Sequence, residues 1–419
     1  MQVSAHVDVD IVAVEQDDEV TVMLELVAPA PQTDAPRPPA AVQVVLDRSG
    51  SMDGERLEAA KLALVKLVDR LAPTDHFGVV AFDDEVRVVV PAGPLHDKPA
   101  TRHAIASTQS GGMTNLSGGL LRGLQEARRV AKNSGATLLL LSDGHANEGE
   151  TDPARLAQIA ATARDHGITT STVGIGMDYD ELLLSDLARG GQGNHVFAEH
   201  GDGAAAAVAG EVEGLLSKTV QATSLLIRPN APVDSVTVWN DLPGHPVDGG
   251  IMVELGDLWA GEERKLVISF AVPATAALGL AEIATLELRY VTLPDFTEQT
   301  VTLPVHVNVV PGDQAAGRIP DPRVRTELVY QQVQNAKRKA SDALRDGDNR
   351  AAKAAYVTAT SQLDELLLEC PSAELADERA IIGDLQTRAD AGDTLWAAKF
   401  GRSDHSRKSR KRGRGDFGI

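Results

Sequence analysis

The stretch Val44-Val45-Leu46-Asp47-Arg48-Ser49-Gly50-Ser51-Met52 constrains the fold more than any other part of this chain. An apolar, β-branched run ends in an aspartate. Two serines follow at spacings of two, with a glycine between them, and a helical pattern starts at about Glu55. A strand apolar at nearly every position, as residues 42–46 are, reads as a buried parallel strand covered on both faces. Such a strand delivers its last residue to the rim of an α/β sheet, where ligands bind. Asp47, Ser49 and Ser51 then point hard oxygen atoms into one small space. That suits a hard divalent cation such as Mg²⁺, which takes oxygen ligands and keeps several waters.

From residue 41 strands and helices alternate. Strand patterns fall at 42–47, 76–82, 85–90, 137–142, 169–174 and 195–197, and helical ones at 55–71, 99–107, 116–134, 153–165, 179–189 and 202–217. This alternation predicts a mainly parallel sheet with right-handed crossovers. Residues 82–85 are too short for a crossover, so the strands they join form an antiparallel hairpin. Outside this segment the pattern changes. Residues 3–14 and 20–27 alternate with a period of two around the turn Gln16-Asp17-Asp18-Glu19. Beyond Gln221 strand patterns recur at 224–228, 233–239, 250–255, 264–272, 281–290 and 300–310, with turn signals such as Pro243-Gly244 and Pro294-Asp295 between them. This is the signature of an all-β sandwich. Two strands alone do not make a stable domain, so the N-terminal pair is expected to complete that sandwich.

The domain plan follows. Residues 1–28 supply sandwich strands, and 29–40, with Pro29, Pro31, Pro36, Pro38 and Pro39, form an extended linker. Residues 41–218 are the α/β domain, 219–310 the rest of the sandwich, and 311–322 a second linker. Residues 323–400 form a helical hairpin plus a third helix, from patterns at 324–346, 349–369 and 373–399 that Gly347 and Pro371 separate. Residues 401–419 carry Arg402, Arg407, Lys408, Arg410, Lys411, Arg412 and Arg414 and read as a basic, disordered tail.

Two further motifs extend the first. Gly111-Gly112-Met113-Thr114-Asn115 precedes the helix that starts at Leu116, and the apolar strand 138–141 runs into Ser142-Asp143-Gly144. Both loops belong to the rim where a doubly wound sheet binds ligands. The sum is three hydroxyls (Ser49, Ser51, Thr114) and two carboxylates (Asp47, Asp143). With these residues the segment 41–218 resembles the von Willebrand factor type A (VWA) family, whose metal-ion-dependent adhesion site reads D-x-S-x-S, then a Thr, then an Asp. The resemblance implies a Rossmann-like α/β fold, a mainly parallel sheet with one antiparallel strand, holding Mg²⁺ or Mn²⁺ at its rim. It implies direct binding by Ser49, Ser51 and often Thr114, with Asp47 and Asp143 acting mostly through water. It also implies a protein partner whose Asp or Glu takes the open coordination position. The flanking strands look like the split β-sandwich found when such a domain is inserted into a β domain, here followed by a C-terminal α-helical region.

Composition removes other classes. A net charge of −20 argues against a general nucleic-acid binder. The one cysteine, Cys370, excludes an internal disulfide framework and fits a reducing compartment. No apolar run approaches the ~20 residues needed to span a bilayer, and residues 1–10 lack the basic and apolar parts of an export signal. A soluble, cytoplasmic, bacterial protein is expected. The loop after Leu46 is Asp-x-Ser and lacks the Asp-x-Asp pair of haloacid-dehalogenase-type phosphatases. No P-loop and no His-Glu-x-x-His occur. His145 and Asn147-Glu148-Gly149 are candidates for the binding rim, and Arg48 either shapes that rim or is solvated. Asp178 with Glu181 resembles a helix-capping box. The helix at 202–217 is a candidate coupler between metal site and sandwich. Arg414-Gly415-Asp416 matches an integrin-recognition tripeptide and is read as coincidence.

The expected function is therefore metal-dependent protein binding as a non-enzymatic adaptor or scaffold, with Asp47, Ser49, Ser51, Thr114 and Asp143 as the metal residues. The alternative is an assembly or metal-insertion cofactor working with an AAA+ ATPase. A metal-dependent hydrolase is a minor third reading, because no general base is visible near the motif.

Overall fold

The structure, a computed structural model, describes the chain except for residues 31–36, 132–133, 144–145, 178, 200, 232, 275–276 and 411–419. It separates into two compact units, one built from Met1–Pro31 and Thr219–Arg414, the other mainly from Gln32–Lys218.

The first unit opens with β1 (Gln2–Val7), β2 (Ile11–Ala13) and β3 (Asp18–Val27). The expected single strand over 3–14 is thus broken. β1 pairs antiparallel with β3, whereas β2 runs parallel to the last strand of a different sheet. The switch happens at Asp8-Val9-Asp10, where the Asp8 amide still donates to Thr21 in the first sheet and the Asp10 carbonyl already accepts from Asn308 in the second. Period-two alternation continues through such a sheet change, so the pattern alone does not reveal it.

The second unit runs β4 (Ala41–Asp47), α1 (Glu55–Arg70), β5 (His76–Phe82), β6 (Val86–Pro94), α2 (Lys98–Ala106), α3 (Leu116–Val130), β7 (Ala136–Ser142), α4 (Pro153–Arg164), β8 (Ile168–Ile175), α5 (Glu181–Gly190), β9 (Gln192–Ala198) and α6 (Gly201–Leu216). Its six strands lie in the order β6-β5-β4-β7-β8-β9. All neighbours are parallel except β5 and β6, the expected hairpin. β4 alternates between two cores. Val42, Val44 and Leu46 pack with α1, α2 and α6, and Ala41 and Val45 pack with α3, α4 and α5. Helices on both faces are what a strand buried on both faces requires. At the start of α5 the capping side chain is Asp180, which accepts from the amides of Leu182 and Leu183. Asp178 lies outside the described residues.

The chain then returns to the first unit with β10 (Lys218–Pro229), β11 (Ser235–Val238), β12 (Gly244–Val247), β13 (Gly250–Trp259), β14 (Glu263–Val272), β15 (Gly279–Thr292) and β16 (Thr297–Val310). One sheet has the order β1-β3-β14-β11 and the other β12-β13-β10-β15-β16-β2. Their inner faces share one core that includes Val22, Leu24, Ile227, Leu266, Leu286 and Val307. A short α7 (Gly312–Ala315) leads to α8 (Pro322–Arg345), α9 (Asn349–Glu369), α10 (Ala373–Asp390) and α11 (Thr394–Arg410). α8 lies against β3 and β14, and α9 and α11 pack on α8. Among the described residues no helix is long and apolar enough to cross a membrane.

The helical region departs from expectation in two ways. The single helix expected over 373–399 is interrupted at Gly392, whose φ of +92° is a left-handed conformation that ends α10. The tail expected to be disordered from 401 is instead helical to Arg410, with Arg402, Asp404, His405, Ser406 and Ser409 buried. Among the described cations of this segment, two have partners on other helices. Arg402 bonds Asp342 and Lys408 bonds Glu378, each at 2.5 Å. Residues 411–419, and with them the Arg414-Gly415-Asp416 tripeptide, lie outside the described residues.

Candidate metal centre

β4 ends on Asp47, and the chain turns through a short 3₁₀ segment (Gly50–Met52) into α1. Asp47 shapes this turn from below. Its Oδ1 accepts from the Ser49 amide at 2.8 Å, and its Oδ2 accepts from the Ser142 hydroxyl at 2.6 Å. Both Asp47 and Asp143 are 0% exposed. Burial pushes the Asp47 carboxyl up to about 6, with the serine hydrogen bonds opposing that rise and the Asp143 charge adding to it. Ser51 donates its hydroxyl to Asp143 Oδ1 at 2.8 Å, and its Oγ lies 3.1 Å from Ser49 Oγ. Asp47, Ser49, Ser51 and Asp143 therefore form one continuous polar cluster.

Thr114 reaches the same rim through its loop. The Gly111 amide donates to Arg48 O (2.7 Å), and the Gly50 amide donates to Gly112 O (2.9 Å). From the other side, Asn147 accepts from the Thr114 amide at 2.8 Å and returns its own amide to the Thr114 carbonyl at 3.2 Å. Thr114 is buried and held here by its main chain. Asp83, after β5, organises the loop by accepting from Arg48 (2.8 Å), the Glu85 amide (2.8 Å) and the Gly112 amide (3.2 Å). Glycine is required at 111 by this close approach, because a Cβ there would lie 1.7 Å from Asp83 Oδ2.

Four supporting residues were not read as such from the sequence. Ser142 braces Asp47, Asp83 holds the glycine loop, Asn147 clamps Thr114, and Arg56 Nη1 bonds Asp143 Oδ2 at 2.5 Å. Ser142 stands next to Asp143 and Arg56 one turn beyond Ser51, so proximity to the motif was the only available signal. Arg48 is not a solvated loop arginine, since its side chain is paired with Asp83 and only 11% exposed. Asn147, expected at the rim, is exposed there and acts as a clamp as well. His145 lies outside the described residues.

The donors are all oxygens, three hydroxyls and two carboxylates, with a formal charge of −2. This set fits a hard divalent ion, and nothing in it favours a soft one. Among the described residues no group of three or more His, Cys, Asp or Glu is placed to hold a metal, so an ion at this rim needs the hydroxyls. The cluster opens outward at Ser51 and along Gly111-Gly112-Met113, where Met113 is 53% exposed.

Comparisons with known proteins agree with the fold of this unit. Residues 42–207 match the model of the von Willebrand factor type A domain. An uncharacterized protein of Synechocystis is 29% identical over 255 residues, covering 57% of this chain and 60% of that protein. The human inter-alpha-trypsin inhibitor heavy chain H3 is 31% identical over 179 residues, covering 40% of this chain and 20% of its own length. The chain thus spans less than two thirds of the curated relatives it matches. Among solved structures, a von Willebrand factor type A protein from Catenulispora acidiphila superposes with a TM-score of 0.71 at 20% identity, covering 89% of this chain and 88% of that one. The ArnB paralog VWA2 from Sulfolobus acidocaldarius gives 0.66 at 16% identity, covering 97% and 98%. At these identities the two structures speak for the fold alone. The α/β unit of this chain has the fold of a von Willebrand factor type A domain, whose model residues 42–207 match.

Proposed function

We propose that this is a metal-dependent protein-binding protein, an adaptor or scaffold without catalysis of its own. Ser49, Ser51 and Thr114 would hold a Mg²⁺ or Mn²⁺ directly, with Asp47 and Asp143 balancing its charge, mostly through water. A bound ion supplies Lewis acidity, and a partner's Asp or Glu completes its shell. The observation that carries this reading is the hydrogen-bonded Asp47–Ser49–Ser51–Asp143 cluster, buried at its carboxylates and open at Ser51. Neutral hydroxyls neutralise little of the ion's charge, so a partner carboxylate gains a charge-assisted contact. In this reading the VWA domain is an insert in a split β-sandwich, and the sandwich and helices carry it. The single cysteine fits a cytoplasmic setting.

The test is a pull-down from native lysate with wild type and Asp47→Ala, each in Mg²⁺ or EDTA, alongside calorimetric titration of both proteins with Mg²⁺. Partner capture and heat of binding in wild type with Mg²⁺ only are expected. Capture indifferent to both EDTA and the substitution would sink the reading. An AAA+ ATPase among the captured proteins, associated in a nucleotide-dependent way, would specify the role as an assembly cofactor.

A further inference from the structure

Arg56 stands in the first turn of α1, on the open side of the cluster. Its Nη1 donates to Asp143 Oδ2 at 2.5 Å and lies 3.4 Å from the Ser51 carbonyl oxygen. The other Asp143 oxygen is the one that accepts from Ser51. The guanidinium is seated as well as paired. It covers Gly176, just past β8, where a Cβ would come within 3.0–3.1 Å of its Cζ, Nε and Nη2. The Arg56 side chain is 33% exposed and the carboxylate it holds is 0% exposed.

Two buried carboxylates repel one another when no cation is near. A guanidinium is always charged and forms strong hydrogen bonds to carboxylates. It therefore stabilises the metal-free cluster. The same fixed charge opposes a divalent ion arriving at Ser49 and Ser51, because it is already engaged with one of the two anions that ion needs. We propose that Arg56 is an intramolecular competitor of the metal: it holds Asp143 in the metal-free protein, yields that carboxylate on metal binding, and so sets the ion concentration at which the site loads. The inference rests on the metal-binding reading above and adds its regulation.

The experiment titrates the full chain, stripped with EDTA, with Mn²⁺ and Mg²⁺ by calorimetry, comparing wild type, Arg56→Gln and Arg56→Lys. Loss of one unit charge close to a divalent ion, partly screened because the guanidinium reaches solvent, should tighten Mn²⁺ binding about tenfold in Arg56→Gln. Arg56→Lys, which keeps the charge, should stay near wild type. Metal-free Arg56→Gln should melt below metal-free wild type, and saturating metal should raise its melting temperature by more. Binding in Arg56→Gln equal to or weaker than a measurable wild-type affinity overturns the inference and leaves the metal site standing. Absence of binding in all three proteins overturns the metal-binding reading and the inference with it. A second readout needs no loss-of-charge variant. In wild type the Arg56 Nε–Hε resonance, assigned by its absence in Arg56→Lys, should shift as Mg²⁺ saturates the site, and an unmoved resonance in a metal-saturated protein refutes the competition.

Discussion

Replacing Lys337 by methionine tests whether α11 is held by buried charge. Lys337, on α8, is fully buried, and its ammonium bonds Glu378 of α10 and, at 2.5 Å, Asp404 of α11. Lys408 reaches the same two carboxylates at 2.5 and 3.1 Å, and Arg407 reaches Asp404 at 3.3 Å. Methionine keeps most of the stem, so what is lost is the charge. Removing one member of a buried ion pair costs about 3–5 kcal/mol, because the partner is left uncompensated. Lys408 still faces both carboxylates, which places the expected cost at the low end, about 3 kcal/mol. If α11 detaches by local opening, that cost appears as faster amide exchange in α11, by about a hundredfold at 1.4 kcal/mol per factor of ten. Hydrogen–deuterium exchange of the intact chain at neutral pH reads this helix by helix. The double variant Lys337→Met/Glu378→Gln should cost less than the sum of the single ones, since each single change strands a charge that the double removes. Strict additivity, or an exchange rate in α11 within a factor of three of wild type, would refute the argument.

The same cluster sets a pH dependence. Burial works against the charged forms of Glu378 and Asp404, yet Lys337 holds both carboxyls below their ordinary values of 4.5 and 3.8, and the two carboxylates hold Lys337 above its ordinary 10.5. Depressed carboxyls contribute stability that is present above those ordinary values and lost as pH falls through the folded ones. The raised lysine contributes stability that is present below 10.5 and lost as pH climbs through its folded value. Exchange in α11 should therefore be slowest, relative to an unfolded reference, between about pH 5 and 10, and an α11 that resists pH 3 as well as pH 7 would contradict this. Asn147→Ala removes the clamp on Thr114 and should weaken Mg²⁺ binding about tenfold in calorimetry, with little change in the melting temperature of the metal-free protein. Gly111→Ala must displace Asp83 from Arg48 and the glycine loop, and should lower the stability of the α/β unit by about 1–3 kcal/mol in urea unfolding. Gly93→Ala, with nothing within 4 Å of the added carbon, is the matched control.

The β4 strand and the turn that carries Asp47, Ser49 and Ser51 were legible because their causes are local. Residues 41–46 are apolar except for the buried Gln43 and find a core on each face, and Asp47, Ser49 and Ser51 sit within five positions of one another. The braces were hidden because they arise from register. β4 and β7 run parallel with Leu46 opposite Leu141, which brings Asp47 beside Ser142 although 95 residues separate them. The same holds for Asn147 on Thr114 and Arg56 on Asp143, whose partners are 33 and 87 positions away. The C-terminal helix shows the opposite failure, where a local signal was present and pointed the wrong way. Arg402, Arg407 and Lys408 resemble a solvated basic tail when counted along the chain. In space, Asp342, Glu378 and Asp404 meet them, and two of those acids come from α8 and α10. A run of charge describes a surface only when its counter-charges are absent from the rest of the fold. In a chain with 60 acidic and 40 basic residues that condition is hard to meet for a short basic segment. An excess of acid elsewhere makes such a segment a candidate for burial as much as for solvation, and helical spacing of its small and polar residues is the feature that should have tipped the reading.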